Sequence, residues 1–291
     1  MMKKNLYDLL GVLPVLTMVL CFGLPDGFVN GQDPLEFQYS ISGADVDYAS
    51  SNPSAFGFHS TISIHQTLGE AAETGGFQVG VGIDQELLLI TEAECLLTGP
   101  SGETPLFCEA QILPHGFNMG VVYDALGVWT VSYEIETEVI TVICNLQDGV
   151  LTGATSPAVT SLAFETIGDP AIANLVVVNG GSISVTTTID GPVILTPHDG
   201  APLIRGDASQ DGSLDLADGV GILQYLFIGA AADCLDALDA NDSGNVSITD
   251  AIRVLCALYC SGSPPPESPF PGCGFDSTAD SLGCLSYPGC P

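Results

Sequence analysis

Two twelve-residue stretches in the last third of the chain constrain its folding more than anything else in it. Asp207-Ala208-Ser209-Gln210-Asp211-Gly212-Ser213-Leu214-Asp215-Leu216-Ala217-Asp218 carries oxygen-bearing side chains at positions 1, 3, 5, 9 and 12, with glycine at 6 and an apolar residue at 8. Thirty-two residues later, Asp239-Ala240-Asn241-Asp242-Ser243-Gly244-Asn245-Val246-Ser247-Ile248-Thr249-Asp250 repeats every one of those features. Calcium is a hard cation that takes about 6–8 oxygen ligands, and a loop of this spacing wraps its odd positions inward to supply them. Ser213 and Asn245, at position 7, are expected to give backbone carbonyls. Gly212 and Gly244 permit the sharp turn, and Asp218 and Asp250 return as carboxylates from the first turn of a helix. An Asp-Gly turn before a helix is common without any metal. Two such turns in register, with so many ligand positions matched, are not.

Each loop is followed by one apolar stripe. Leu216, Val220, Leu223 and Phe227 recur as Ile248, Ile252, Leu255 and Tyr259. Both sets fall at i, i+4, i+7 and i+11, the pattern of a helix that buries one face. Pro197, Gly200 and Pro202 break any helix leading into the first loop, so each unit reads as a loop plus its exiting helix. Leu214 and Val246, at position 8, are expected to join the two loops in a short β-contact.

Gly206-Asp207 through Gly212, Leu214 and Asp218, with the copy at Asp239 to Asp250, resembles the type I dockerin family over about residues 203–262. The resemblance implies two calcium ions. The first is held by Asp207, Ser209, Asp211, the Ser213 carbonyl, Asp215 and Asp218. The second is held by Asp239, Asn241, Ser243, the Asn245 carbonyl, Ser247 and Asp250. It also implies a protein partner, a cohesin-type domain, of the kind dockerins dock onto in polysaccharide-degrading assemblies. The chain departs from the family at loop positions 10 and 11. Many dockerins carry small hydroxyl residues there for partner recognition, and this chain has Leu216-Ala217 and Ile248-Thr249. Basic residues are scarce on the helices, and Cys256 and Cys260 lie one turn apart. Calcium binding does not depend on those positions, whereas partner choice does.

Upstream, from about Gln32 to Pro197, the pattern has period two. Thr61–His65 and Phe77–Ile83 alternate, and Trp129, Val131, Tyr133 and Ile135 share one face of a Trp129–Thr137 strand, with Glu134 and Glu136 on the other. Further strand candidates are 35–41, 87–93, 117–123, 139–145, 161–167, 175–179, 183–189 and 193–195. Gly75-Gly76, Asn179-Gly180-Gly181 and Asp190-Gly191-Pro192 punctuate them. Many short strands with no helical period between them predict an all-β two-sheet sandwich. Gly76 to Asp84, followed by Leu87 to Ile90, resembles the cohesin-like sandwich of exported bacterial proteins. The expected organisation is a signal peptide over 1–31, a cohesin-like sandwich over 32–197 and a linker over 198–202. A small all-α, dockerin-like calcium domain over 203–262 and a Pro/Cys-rich tail over 263–291 follow.

The charge balance narrows the partners. Against 35 Asp and Glu stand 4 Lys and Arg, and such a surface repels phosphate backbones, which excludes nucleic acid. It favours divalent cations, or high salt that screens self-repulsion. Lys3 and Lys4 before the apolar run Leu9–Leu24 read as an export signal ending near Val29-Asn30-Gly31. That run contains Pro14 and Gly23 and is short for a membrane span. A secreted or cell-surface protein with no transmembrane segment in its mature chain is expected. Cys95, Cys108, Cys144, Cys234, Cys256, Cys260, Cys273, Cys284 and Cys290 then remain, without a C-x-x-C pair, so disulfides are expected rather than zinc. Nine being odd, at least one thiol is free or bridges to another molecule.

Signatures of catalysis are sparse. His59, His65, His115 and His198 form no H-E-x-x-H, and neither a G-x-S-x-G elbow nor a phosphate loop occurs. Glu134, Glu136 and Glu138 alternate as a solvated strand face does. The expected function is a secreted, calcium-binding, non-catalytic binding or scaffold protein. The alternative is an accessory carbohydrate binder or hydrolase of polysaccharide breakdown, with polysaccharide as the partner. A glycosidase needs two opposed carboxylates, and a carbohydrate binder wants exposed aromatics, of which Trp129 is the sole Trp.

Overall fold

A computed structural model describes residues 34–124, 126–278 and 280–290. The expected export signal lies outside the described residues. The chain runs through strands β1 (Glu36–Ile41), β2 (Ala44–Ala49), β3 (Gly57–Leu68), β4 (Glu73–Gly82), β5 (Leu88–Cys95), β6 (Phe107–Leu113), β7 (Gly116–Val122), β8 (Val131–Ser132), β9 (Thr137–Leu146), β10 (Ala158–Phe164), β11 (Leu175–Val178), β12 (Gly181–Ser184), β13 (Thr187–Ile189) and β14 (Gly191–His198). Helices α1 (Leu216–Ile228), α2 (Leu235–Leu238) and α3 (Ile248–Tyr259) follow.

The strands form the expected two-sheet sandwich. One sheet has the order β13-β1-β3-β9-β5. In the other, β12-β11-β4-β10-β14-β2 form the path, and β7 and β8 also pair with β4 and β6 with β7. Alternation explains which side chains meet between the sheets. Phe37, Tyr39 and Ile41 from β1 face Phe77, Val79 and Val81 from β4 in one buried cluster that also holds Ile62, Ile64, Phe117, Met119, Val142 and Leu195. The Tyr39 hydroxyl donates to the Leu175 carbonyl (2.7 Å), and the hydroxyls of Tyr123 and Tyr133 pair with each other, so these buried rings keep partners for their polar ends. Cys95 and Cys108 form a disulfide that ties β5 of one sheet to β6 of the other, and Cys144 is a buried free thiol.

Two strand expectations are corrected, and two strands were not expected. Trp129–Thr137 is not one strand. The Asp124 carboxylate accepts from the N–H groups of Leu126 (2.5 Å), Val128 (2.6 Å) and Trp129 (2.9 Å), which curls the chain, and only Val131–Ser132 pair with β4. Tyr133 is buried while Ile135 is 75 % exposed, so the expected common face does not exist. The segment expected at 183–189 divides into β12, which pairs with β11, and β13, which pairs parallel with β1 in the other sheet. β2 and β6 escaped the pattern altogether. β2 alternates only Val46 and Tyr48 against acids, and β6 is an outer strand whose residues are all at least partly exposed.

His198, which the expected linker includes, is the last residue of β14, and its carbonyl accepts from the Ser50 N–H (3.0 Å). Beyond it a second, smaller core gathers Leu203, Ile204, Ile222, Leu238, Val254 and Tyr287. The tail is part of this unit. Leu203 and Gly274 exchange backbone hydrogen bonds, Cys234 is bonded to Cys284, and Cys273 to Cys290. The Cys234–Cys284 bond ties the tail to the unit, while Cys273–Cys290 closes a loop within it. Among the described residues, no helix is long and apolar enough to cross a membrane.

Candidate metal centres

The two loops share one hydrogen-bond frame. Position 4 is left-handed in both (Gln210 φ 61°, Asp242 φ 54°), and so is the position 6 glycine (Gly212 φ 86°, Gly244 φ 76°), a conformation costly for residues with a Cβ. Asp207 Oδ2 accepts from the Gly212 N–H at 2.8 Å, and Asp239 Oδ2 from the Gly244 N–H at 2.7 Å. Across each loop the position 12 carboxylate accepts from two loop N–H groups. Asp218 takes those of Asp215 (2.7 Å) and Ser209 (2.9 Å), and Asp250 those of Ser247 (2.7 Å) and Asn241 (3.2 Å).

Positions 9 and 12 do double duty. Asp215 and Ser247 are the N-caps of α1 and α3, and Asp218 and Asp250 complete capping boxes from the third helical position. The spacing that suits a metal loop is therefore also the signal that starts each helix.

Asp207, Asp218, Asp239 and Asp250 are all fully buried. Burial, with the charge of Asp207 adding to it, pushes the Asp218 carboxyl up against the opposing pull of its backbone donors. The same balance, with Asp239 as the neighbour, raises Asp250. Paired buried carboxylates are costly unless a cation or hydrogen-bond donors compensate them. The Oδ1 of Asn241, at ligand position 3, is buried and has no hydrogen-bond partner, so an oxygen acceptor waits where the motif demands a ligand. The donor set is all oxygen, as a hard cation requires. Among the described residues no three carboxylates within either loop bring oxygens to within 4.8 Å of one another. The remaining donors are hydroxyl, amide and carbonyl, and the carboxylates at positions 1 and 12 are held by loop N–H groups. The residues fit calcium.

Most of the predicted helix stripe faces outward, with only Leu223 and Leu255 half-buried. In α1 the buried residues are Asp218, Gly219 and Ile222, and in α3 they are the equivalents Asp250, Ala251 and Val254. Leu216, Val220 and Phe227 are 52 %, 41 % and 68 % exposed, and Ile248, Ile252 and Tyr259 are 50 %, 52 % and 67 % exposed. The cause is local. The position 12 carboxylate must turn into its loop, which forces its own helical face inward and rotates the larger stripe outward. Small residues then line the helix contact, where a Cβ on Gly219 would lie 2.8 Å from Leu255. Leu214 and Val246 pack on the shared core, but no β-bridge joins them among the described residues, contrary to expectation.

Arg205 is the residue that sequence reasoning missed. It is fully buried, and its guanidinium donates to the carbonyls of Ser268 (2.7 Å), Asp236 (3.3 Å) and Asp239 (3.1 Å). It also pairs with Asp276 (2.6 Å) and Asp242 (3.1 Å). One side chain thus ties the start of the unit, α2, the second loop and the tail together. The signal available was its rarity, as one of two basic residues beyond Lys4. The tail reaches the first loop as well, where the Tyr287 hydroxyl donates to Asp207 Oδ2.

The surface offers shallow depressions. The one of about 260 Å³ adjoins the second loop and the exposed face of α3, lined by Asn241, Thr249, Ile252, Arg253, Cys256 and Pro264. Glu134, Glu136 and Glu138 are exposed, with only Glu138 inside a strand. Trp129 is half-buried against Tyr123, ring centroids 5.6 Å apart.

No protein-family model matches the chain, and no curated protein matches it. Similar solved structures include cohesin modules. One comes from a type I cohesin–dockerin complex of Clostridium thermocellum, at 9 % identity and TM-score 0.42, covering 59 % of this chain and 100 % of that one. Another is a cohesin module from a family 33 glycoside hydrolase of Clostridium perfringens, at 11 % identity and TM-score 0.38, covering 57 % of this chain and 99 % of that one. A likeness at this level assigns neither a family nor an activity.

Proposed function

We propose that this protein is a secreted, non-catalytic attachment module whose C-terminal unit folds around two calcium ions and then docks a protein partner. Asp207, Ser209, Asp211, Asp215 and Asp218, with the Ser213 carbonyl, would hold the first ion. Asp239, Asn241, Ser243, Ser247 and Asp250, with the Asn245 carbonyl, would hold the second. Bound calcium supplies the charge that lets the buried carboxylates stay ionised, so metal binding and folding of the unit become one equilibrium.

The observation that carries the docking step is the duplicated apolar face of α1 and α3. Large exposed apolar clusters on otherwise polar surfaces mark interaction sites. This face is related to itself by the same thirty-two-residue repeat as the loops, so a partner meets equivalent residues from either half. A cohesin-type β-sandwich is the partner implied by the dockerin resemblance. Leu216 and Ile248, at loop position 10, give the contact an apolar character where many dockerins use hydroxyl groups. The half-buried Trp129 offers no open stacking platform for a sugar.

The test is binding of the full chain to a panel of cohesin-type sandwiches on a biosensor, in about millimolar calcium and in chelator. Calcium-dependent binding that Phe227→Ser and Tyr259→Ser abolish is expected. Binding that is indifferent to calcium, or to both substitutions, would sink the proposal.

A further inference from the structure

Three carboxylates outside both predicted ligand sets converge where the tail meets α2. Asp236, on α2, and Asp276 and Asp280, on the tail, each bring one oxygen to within 4.8 Å of the other two. Acidic clusters are common on so acidic a chain, and proximity alone would mean little. Asp236 is different, because the residue is only 5 % exposed and its Oδ1 is buried without any hydrogen-bond partner. A buried carboxylate oxygen with no donor, facing two further carboxylates, is costly unless something positive lies between them.

Arg205 offsets part of that cost through its charge but donates no hydrogen bond to the Asp236 carboxylate. Its contact with Asp236 is to the backbone carbonyl, and its charge is shared between Asp276 and Asp242. Asp276 receives Arg205 and the Thr278 N–H on Oδ1, and Asp280 receives the Leu282 N–H on its own Oδ1. Among the described residues the second oxygen of each accepts nothing. The donors at this point are all carboxylate, with neither thiol nor imidazole among them, which selects a hard divalent cation over zinc or copper.

We propose that Asp236, Asp276 and Asp280 form a third calcium site, separate from the two loops, which clips the C-terminal tail onto the calcium unit. The consequence reaches the other half of the molecule through one neighbouring residue. Phe275 stacks on the His198 ring at the end of β14, centroids 4.3 Å apart with planes 7° from parallel, and lies 5.8 Å from Phe56. An ion on Asp276 therefore holds the segment that bridges the unit to the sandwich.

Asp280 also brings an oxygen to within 4.8 Å of Asp239 and Asp242, and the competing arrangement assigns it to the second loop; Asp236, absent from that group, separates the two arrangements. The experiment is native mass spectrometry of the full chain in calcium, comparing wild type with Asp236→Asn, Asp280→Asn, Asp207→Ala and Asp239→Ala. A third ion in wild type, lost in both Asp236→Asn and Asp280→Asn, is expected, with protease cleavage of the tail rising several-fold in the same two variants. Two ions in wild type, one lost with each loop variant and none with Asp236→Asn, would overturn the third site and leave the loops standing. An ion lost with Asp280→Asn but kept with Asp236→Asn would assign Asp280 to the second loop and also overturn it. An ion lost only with Asp236→Asn and Asp280→Asn, and kept in both loop variants, would support this site while removing the loop reading.

Discussion

In the sandwich the largest fully buried side chains are Tyr39, Tyr48, Phe37, Phe117, Ile62 and their neighbours, whereas in the C-terminal unit the largest is an arginine. The other deep residues of that unit include Asp207, Asp218, Asp239 and Asp250 beside Ala237, Ala240 and Ala251. One half is held by apolar area removed from water, which needs nothing from the medium. The other adds buried charge and small side chains to a smaller apolar core of Leu203, Ile222, Leu238 and Val254, and several of its large apolar residues on α1 and α3 point outward. Buried carboxylates of this kind are costly unless donors or a cation compensate them, which the proposed calcium ions would do.

The broadest way to break this contrast is removal of calcium. Chelator should abolish the helical circular dichroism of residues 203–262 while amide exchange in β3, β4 and β9 stays slow; a helix signal that persists would count against metal-coupled folding. Next comes Arg205→Met, expected to cost the calcium unit about 3–5 kcal/mol, because several carboxylates and carbonyls lose one buried donor together. A denaturant melt should show the loss in the unit's own transition and leave the sandwich's midpoint where it was.

Core truncations sharpen the comparison further. Ile222→Ala and Ile64→Ala should each cost about 2–4 kcal/mol, the first only in the calcium unit and the second only in the sandwich. If either substitution shifted both transitions equally, the two cores would have to be regarded as one cooperative body. Phe227→Ser and Tyr259→Ser should change stability by no more than about 0.5 kcal/mol, since both rings are exposed. The smallest effect expected is between the loops. The first has four carboxylates among its ligands and the second two, so titration calorimetry should find the first filling at lower calcium.

Much of this molecule was legible in the chain itself. The period-two stretches around Thr61–His65, Phe77–Ile83 and 139–145 became β3, β4 and β9 because alternation is a local consequence of strand geometry. The loops and the helix starts were legible for a related reason. Glycine at position 6, with acids or hydroxyls at 9 and 12, sets backbone conformation within a dozen residues, whatever the rest of the protein does. Where the readings failed, hydrogen bonds that period-two alternation does not register had made the choice. Asp124 curled the segment that looked like a strand from Trp129 onward, and β6 became a strand through its pairing with β7.

Tertiary structure alone decided which helical face turned inward. An apolar stripe at i, i+4, i+7 and i+11 states that a helix is amphipathic, but not what covers it. Here the position 12 carboxylate had to reach its loop, and that geometric demand outweighed the larger side chains. Tertiary structure alone also placed Arg205 among the carbonyls of three segments and set Asp236, Asp276 and Asp280 side by side, across 40 and more residues of sequence. Local spacing specifies the turns and caps because their atoms are close along the chain. The meeting of distant charges depends on how the folded pieces stack.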